Sequence, residues 1–181
     1  MASDGLTGVL LVGGASRRFG SAKALARLAG ETLAERGRRV LGAVCDEVIV
    51  VGKSADELAL SFPIVDDRST IRAPIAGVVA GLRAARSDLC LFLPVDCPLV
   101  SAASLGRLAA AATQVAVPQT GPLPGAYRRS ALPILEASLV VGELSLRAAL
   151  KELDVRVVEL DPAELVNVNT QDDLRAAASS V

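Results

Sequence analysis

The chain has 181 residues, and its 19 basic and 20 acidic side chains give a formal net charge of −1. Hydrophobic residues make up 51% of the sequence and aromatic residues only 2%, which excludes intrinsic disorder and predicts an aliphatic core in one domain over residues 1–181. A near-neutral charge with few aromatic rings also argues against a nucleic-acid-binding protein.

Short apolar runs alternate along the chain with longer stretches rich in Ala, Leu and Arg. Runs that are apolar throughout are typical of strands inside a parallel sheet, because both faces of such a sheet are buried. The sequence predicts strands at Leu6–Val12, Glu47–Val51, Phe62–Val65, Asp88–Leu93, Gln114–Pro118 and Val155–Leu160. For the Gly- and Pro-rich segment Gln119–Tyr127 we expect a loop that returns into a short strand.

The stretches between the strands carry apolar residues at helical spacing. They predict helices at Thr32–Ala43, Ile75–Ala85, Ser101–Ala112, Ser130–Leu139, Ser145–Leu150 and Gln171–Ala178. Pro74 suits the first turn of the second helix, and Ser101 or Ser104 suits the N-cap of the third. The alternation of strands and helices predicts an α/β fold, a three-layer Rossmann-like domain with a mainly parallel sheet.

The residue types also limit the chemistry. Histidine is absent, which excludes a Ser-His-Asp triad, a Cys-His pair and any histidine-containing metal site. Cys45, Cys90 and Cys97 lack CxxC spacing, so neither a disulfide framework nor a zinc ribbon is indicated. The apolar run Leu6–Val12 is too short to span a membrane, and we expect a cytoplasmic protein without a membrane partner.

The loop after the first predicted strand combines glycines with basic residues. Gly13 and Gly14 allow a sharp turn that presents backbone N–H groups to an anion, and Arg17, Arg18 and Lys23 add positive charge. A bound triphosphate requires this combination, because negative charge develops on the departing pyrophosphate. The spacing matches neither a Walker A motif nor a dinucleotide-binding fingerprint, and a solvated surface loop remains the alternative.

Acidic and amide side chains follow other predicted strands. Asp96 lies between two prolines after the fourth strand, where a carboxylate can bind Mg²⁺ or serve as an ordinary turn residue. Asp66 and Asp67 end the third strand, where a ribose or metal contact competes with a solvated turn. Thr170 with an acid three residues later predicts a helix cap, which leaves Asn169 without an explanation.

Four motifs occur together in a fixed order. They are L-V-G-G-x-S-R-R-F-G-x-x-K (Leu11–Lys23), A-P-I-A-G (Ala73–Gly77), V-D-C-P (Val95–Pro98) and N-V-N-T-x-D-D-L (Asn167–Leu174). With them the chain resembles the MobA-like nucleotidyltransferases from Leu6 to Leu174, and within that family the molybdenum cofactor guanylyltransferases.

The resemblance implies a nucleotidyltransferase that moves GMP from GTP to the terminal phosphate of Mo-molybdopterin, releasing pyrophosphate with the help of Mg²⁺. It implies nucleotide contacts at a set of residues after the strands: Leu11, Val12, Gly13, Gly14, Lys23, Asp67 and Asp96. Lys23 would neutralise the triphosphate, Asp96 would bind Mg²⁺, and Asn169 would help to hold the metal near the acceptor. From its charge on the same loop, we expect Arg18 to assist Lys23 in catalysis. Proteins that handle molybdopterin or mature molybdoenzymes are the implied protein partners.

Several positions depart from the family pattern and leave alternatives open. Val12 replaces an alanine, Ala22 replaces an acid, and Val51 stands where an asparagine near the base is common. We therefore expect backbone groups of Gly13-Gly14 and of the segment after Val51 to contact the base. A CTP-dependent cytidylyltransferase acting on the same cofactor and a non-catalytic nucleotide- or pterin-binding paralogue are the alternative functions.

Overall fold

The structure, a computed structural model, describes residues 3–13, 22–56 and 58–179. The strands in this part of the chain are β1 (Ser3–Leu11), β2 (Arg27–Leu28), β3 (Glu31–Thr32), β4 (Glu47–Gly52), β5 (Val65–Asp66), β6 (Ser87–Pro94), β7 (Val115–Pro118), β8 (Gly125–Arg128) and β9 (Val155–Val158). The α-helices are α1 (Leu33–Gly42), α2 (Pro74–Ala84), α3 (Ala102–Ala111), α4 (Leu132–Val140), α5 (Leu146–Ala149) and α6 (Gln171–Ala178).

Seven strands form one sheet in the order β5–β4–β1–β6–β8–β7–β9. Neighbouring strands run parallel except where β8 pairs with β6 and β7, so β8 alone runs in the opposite direction within this sheet. The predicted α/β fold with a mainly parallel sheet is confirmed. Because β1 lies between β4 and β6, the loops after these three strands meet at one edge of the sheet.

Two apolar clusters pack against the two faces of the sheet and give the fold its three layers. In β1 the side chain of Leu10 enters one cluster, whereas its neighbours Val9 and Leu11 enter the other, as the two-residue repeat of a strand requires. The first cluster includes Leu33 and Leu41 of α1 and Leu105 and Leu108 of α3. The second includes Ile75 and Leu82 of α2 and Leu135 of α4.

The third strand is the main departure from the predicted elements. The prediction of Phe62–Val65 is wrong except at its last residue, because the strand comprises only Val65 and Asp66, paired with the end of β4. Phe62 and Ile64 are partly buried against the core without forming a ladder. The apolar residues of this segment thus predicted which side chains pack on the core. They did not predict which residues form backbone hydrogen bonds with β4.

A small hairpin of β2 and β3 was not predicted. Its two-residue turn, Ala29-Gly30, has φ angles of 51° and 86°, which suit a tight hairpin turn. Alanine rarely adopts a positive φ, so Ala29-Gly30 is a weaker turn signal than Asn-Gly. The helix caps followed expectation: Pro74 opens α2, and the Ser101 hydroxyl accepts a hydrogen bond from the backbone N–H of Ser104.

No helix among the described residues is long and apolar enough to cross a membrane.

The close approach of α2 to the sheet generates a stability prediction. A Cβ at Gly81 of α2 would lie 2.6 Å from Cε1 of Phe92 and 2.8 Å from Cγ1 of Val9. We expect Gly81→Ala to lower the free energy of unfolding by about 1–3 kcal/mol, because overpacking outweighs the better helix propensity of alanine. Denaturant unfolding measures the change.

Gly106 of α3 provides the matched control, because a Cβ there meets nothing within 4 Å. Gly106→Ala should raise the free energy of unfolding by about 0.5–1 kcal/mol through helix propensity alone. Equal stabilisation by both substitutions would contradict the packing of α2 described above.

Candidate active site

A cavity of about 560 Å³ lies at the carboxyl-terminal edge of the sheet. Backbone hydrogen bonds continue the parallel ladders past the strand ends, from Val12 N to Val51 O and from Val95 N to Leu11 O, both at 2.9 Å. This continuation holds the first residues of the loops in register. Gly13 after β1 and Asp96 after β6 therefore line the same cavity.

One cluster in the cavity is centred on Lys23. Its ammonium lies 2.9 Å from Oδ1 of Asn169 and 3.4 Å from Oδ2 of Asp96. The Lys23 side chain is 14% exposed and that of Asp96 28%, so the ion pair is partly shielded but open to the cavity. A carboxylate oxygen and an amide oxygen thus converge on one positive charge.

Local structure fixes each member of this cluster. Lys23 begins a 3₁₀ turn, Lys23–Leu25. Asp96 lies in a turn closed by a hydrogen bond from Cys97 N to Pro94 O. The segment before α6 docks on this turn through a 2.8 Å bond from Val168 N to Asp96 O, which brings Asn169 to the cavity.

The cap of α6 holds Asn169 from the other side. The Thr170 hydroxyl accepts from Asp173 N, and the Asp173 carboxylate accepts from the backbone N–H groups of Thr170 and Asn169. These hydrogen bonds, the one from Asn169 foremost, lower the pKa of Asp173 below its ordinary value. The predicted cap is confirmed, and it also explains how the backbone of Asn169 is held.

A second ion pair, which the sequence did not predict, lines the cavity on the far side of β1. Lys53 directly follows β4, and its ammonium lies 3.0 and 2.9 Å from the two carboxylate oxygens of Asp67 and 2.6 Å from the carbonyl oxygen of Ser69. The side chains are only 10% and 8% exposed. From the sequence, a buried and paired lysine after a strand cannot be distinguished from a lysine exposed to solvent.

Two further contacts join the same two loops. Ser54 hydrogen-bonds Asp66, and Arg72 pairs with Asp56 at 2.8 Å. The Ser54 hydroxyl and the Arg68 N–H lower the pKa of Asp66. Asp66, the last residue of β5, is exposed and does not line the cavity, so the loop contacts account for it without a role at the site.

Most of the residues that the sequence predicts at the nucleotide and that the structure describes line the cavity. Leu11, Val12, Gly13 and Val51 line the cavity. Gly14 and Arg18, together with Ser16 and Arg17, lie outside the described residues. Gly52 has no room for a side chain, because a Cβ there would come within 2.8 Å of Val12 Cγ2.

A third wall is formed by the loop Thr120–Leu123. The Tyr127 hydroxyl donates a 2.7 Å hydrogen bond to Pro122 O, and Arg147 donates to Thr120 O at 3.0 Å. Gln119 binds both the N–H and the C=O of Leu160. Side chains from β8 and α5 therefore give this loop a defined position.

Cys97 also lines the cavity, but the structure assigns it to packing. Its thiol donates to Oδ1 of Asn167 at 3.1 Å, and burial raises its pKa. Because the thiolate is the nucleophilic form, this arrangement does not activate the sulfur.

Known proteins resemble this chain over nearly its whole length. The model of the MobA-like NTP transferase domain matches residues 8–162. A protein of Desulfosudis oleivorans named molybdenum cofactor guanylyltransferase is 29% identical over 196 residues, covering 98% of this chain and 96% of that protein. A probable molybdenum cofactor guanylyltransferase of Opitutus terrae is 35% identical over 190 residues, covering 94% of each.

A solved structure supports the same fold. Molybdopterin-guanine dinucleotide biosynthesis protein A from Archaeoglobus fulgidus superposes with a TM-score of 0.81 at 25% sequence identity. The superposition covers 96% of this chain and 97% of that one.

The hydrogen bond that anchors the third wall generates a pH prediction. Tyr127 is the only tyrosine, the chain has no tryptophan, and burial raises the pKa of its phenol above the ordinary value of 10. The folded protein therefore keeps the Tyr127 phenol protonated. The contribution of this phenol to the free energy of unfolding is at its full value below pH 10 and declines as the pH rises further. We expect phenolate absorbance to appear only together with unfolding, as followed by circular dichroism.

Ionisation of Tyr127 near pH 10 in the folded protein would contradict this burial and the fixed position of the Thr120–Leu123 loop. The same titration in denaturant, where the phenol is exposed, is the control.

Proposed function

The chain belongs to the MobA-like NTP transferase family, and from that premise we propose that it transfers GMP from GTP to the terminal phosphate of Mo-molybdopterin. The relatives named molybdenum cofactor guanylyltransferase favour GTP over CTP. The observation that carries the proposal is the convergence of Lys23, Asp96 and Asn169 in one cavity.

The reaction requires little covalent chemistry from the protein. An anionic oxygen of the acceptor phosphate attacks the α-phosphorus, a P–O bond forms, and the bond between the α-phosphorus and the bridging oxygen breaks as pyrophosphate leaves. The acceptor phosphate is already ionised at neutral pH and needs no general base. The protein must therefore position the two substrates and neutralise charge.

Lys23 would neutralise that charge. Its ammonium is held at the cavity by Asp96 and Asn169, and binding of a triphosphate would draw it towards the phosphate oxygens. Arg18, a second basic residue of the same Gly-rich segment, would assist through its positive charge. Leu11, Val12, Gly13 and Gly14 would contact the nucleotide, and Asp67 would lie at its nucleoside end.

The donor set fits Mg²⁺. Asp96 Oδ2 and Asn169 Oδ1 are hard oxygen donors that already converge on a cation, the Lys23 ammonium. Among residues 3–13, 22–56 and 58–179 no group of three acidic or cysteine side chains could hold a metal by itself. That suits an ion held by one carboxylate, an amide and the substrate phosphates, where Mg²⁺ would neutralise phosphate charge.

The remaining wall is assigned to the acceptor. The Thr120–Leu123 loop lines the cavity without a charged side chain, so an uncharged part of the acceptor would lie against it. The product would then pass to molybdopterin-handling or molybdoenzyme-maturation proteins in the cytoplasm.

Removal of either charge of the Lys23–Asp96 pair tests the catalytic assignment. Lys23→Met and Asp96→Asn should each lower the rate of GMP transfer about a hundredfold, because a charge contact in the transition state contributes about 3 kcal/mol. Pyrophosphate release with GTP, Mg²⁺ and Mo-molybdopterin measures the rate. Lys151→Met and Asp172→Asn remove exposed charges and should retain the wild-type rate.

A wild-type rate in Lys23→Met or Asp96→Asn would remove the main support of the proposal. Thermal unfolding of all four variants tests whether a lower transfer rate comes from loss of the fold; unchanged midpoints are expected.

Asn169 generates a separate prediction about the metal. Asn169→Ala should raise the Mg²⁺ concentration needed for half-maximal transfer about tenfold, because one oxygen ligand is lost. Asn167→Ala, which removes a neighbouring amide in the same cavity, should leave the requirement near that of the wild type. An unchanged Mg²⁺ requirement in Asn169→Ala would contradict its role at the metal.

A further inference from the structure

We infer that Lys53 and Asp67 together select the base of the nucleotide. The Lys53 ammonium donates to the keto oxygen of guanine, and the Asp67 carboxylate accepts from the adjacent ring N–H. This inference rests on the proposed function and assigns a selective role to Lys53, which stands after the Val51 position where the sequence lacks the usual asparagine.

The position of the pair follows from the strand order. Asp96 follows β6, Gly13 follows β1 and Lys53 follows β4, and these strands are successive neighbours. Adjacent strands lie about 4.8 Å apart, so the Lys53–Asp67 pair lies about 10 Å across the sheet edge from Asp96. A nucleotide with its α-phosphate at Asp96 would cross the end of β1, with its base towards Lys53.

Two glycines lie between the two ion pairs, Gly13 shortly after β1 and Gly52 at the end of β4. Gly13 and Gly52 face each other there, and a Cβ on Gly13 would lie 3.8 Å from Gly52 Cα. Gly13 lines the cavity, and among the described residues only Gly52 Cα would meet a Cβ placed on it, so a ribose can approach the backbone closely at Gly13.

Both members of the pair keep hydrogen-bonding capacity. The Lys53 ammonium has three N–H donors, and its described partners are the Asp67 carboxylate, whose two oxygens can share one donor, and Ser69 O. Asp67 Oδ1 also accepts from Ser69 N, whereas Oδ2 accepts from Lys53 alone among the described residues. By this count the Lys53 ammonium keeps one N–H donor and Asp67 Oδ2 keeps a lone pair, and the two atoms lie 2.9 Å apart.

The buried pair suits an uncharged polar group better than a phosphate. Its charges compensate each other, and Asp67 would repel an anion placed against Lys53. Both side chains are nearly enclosed by protein, where a mismatched hydrogen-bonding group cannot be compensated by water.

A donor beside an acceptor distinguishes the bases by chemistry. Guanine and hypoxanthine present a keto oxygen next to a ring N–H, which complements the pair. Adenine and cytosine present an amino group next to an unprotonated ring nitrogen, which sets donor against donor and acceptor against acceptor. Buried mismatches of this kind are the basis of strong discrimination between analogues.

Reversal of the pair provides the test. Lys53→Glu/Asp67→Lys retains an ion pair between the loops but exchanges donor and acceptor. Calorimetric titration with GTP, ITP, ATP and CTP in Mg²⁺ should give the wild type at least about tenfold tighter binding of GTP and ITP than of ATP and CTP. In the reversed variant ATP should bind more tightly than GTP and ITP.

The matched control reverses an exposed ion pair between α2 and α4, as Arg83→Glu/Glu136→Arg, and should keep the wild-type ratios. An unchanged preference for GTP over ATP in the reversed variant would overturn the inference and assign the pair to loop structure or ribose binding. A change of equal size in the control would overturn it as well.

A single substitution covers the case in which the reversed variant does not fold, as judged by circular dichroism. The amide of Lys53→Gln can offer either a donor or an acceptor, so the ratio of GTP to ATP affinity should fall about tenfold; an unchanged ratio would overturn the inference. Failure of the proposed function is recognised separately, as absence of GMP transfer by the wild type. A wild type that binds none of the four nucleotides would overturn both.

Discussion

The contact of Lys23 with Asp96 and Asn169 is the interaction on which the candidate site depends. It joins groups separated by 73 and 146 residues along the chain, at the start, middle and end of the fold. Lys23 comes from the loop after β1, Asp96 from the end of β6 and Asn169 from the cap of α6. The docking of Val168 on the backbone of Asp96 keeps Asn169 beside Asp96.

The parallel sheet imposes the arrangement of everything else in the cavity. Because β1 lies between β4 and β6, one ion pair stands on each side of the end of β1. The more open pair, Lys23–Asp96, faces the place assigned to phosphates and metal. The more enclosed pair, Lys53–Asp67, faces the place assigned to the nucleoside. The single reversed strand, β8, supplies Tyr127 and so anchors the wall assigned to the acceptor.

The sequence predicted those features that depend on local composition. Buried parallel strands are apolar on both faces, so runs such as Leu6–Val12 predicted the sheet and also where its functional edge begins. The position of Asp96 at this edge was predicted for the same reason, because Asp96 follows the apolar run Asp88–Leu93 closely. Phe62–Val65 was mistaken for a strand because apolar side chains pack on the core there without forming backbone pairs. Lys53 was missed because its partner, Asp67, is fixed by the pairing of β5 with β4, which no local pattern records.

The most direct test of the central claim is a crystal structure with Mn²⁺ and a GTP analogue that cannot be cleaved between the α- and β-phosphates. The account predicts an anomalous peak about 2.1 Å from a carboxylate oxygen of Asp96, the spacing typical of such hard cations. It also predicts a triphosphate oxygen within hydrogen-bonding distance of Lys23 Nζ. A metal bound without Asp96, or a triphosphate bound away from Lys23, would contradict the account.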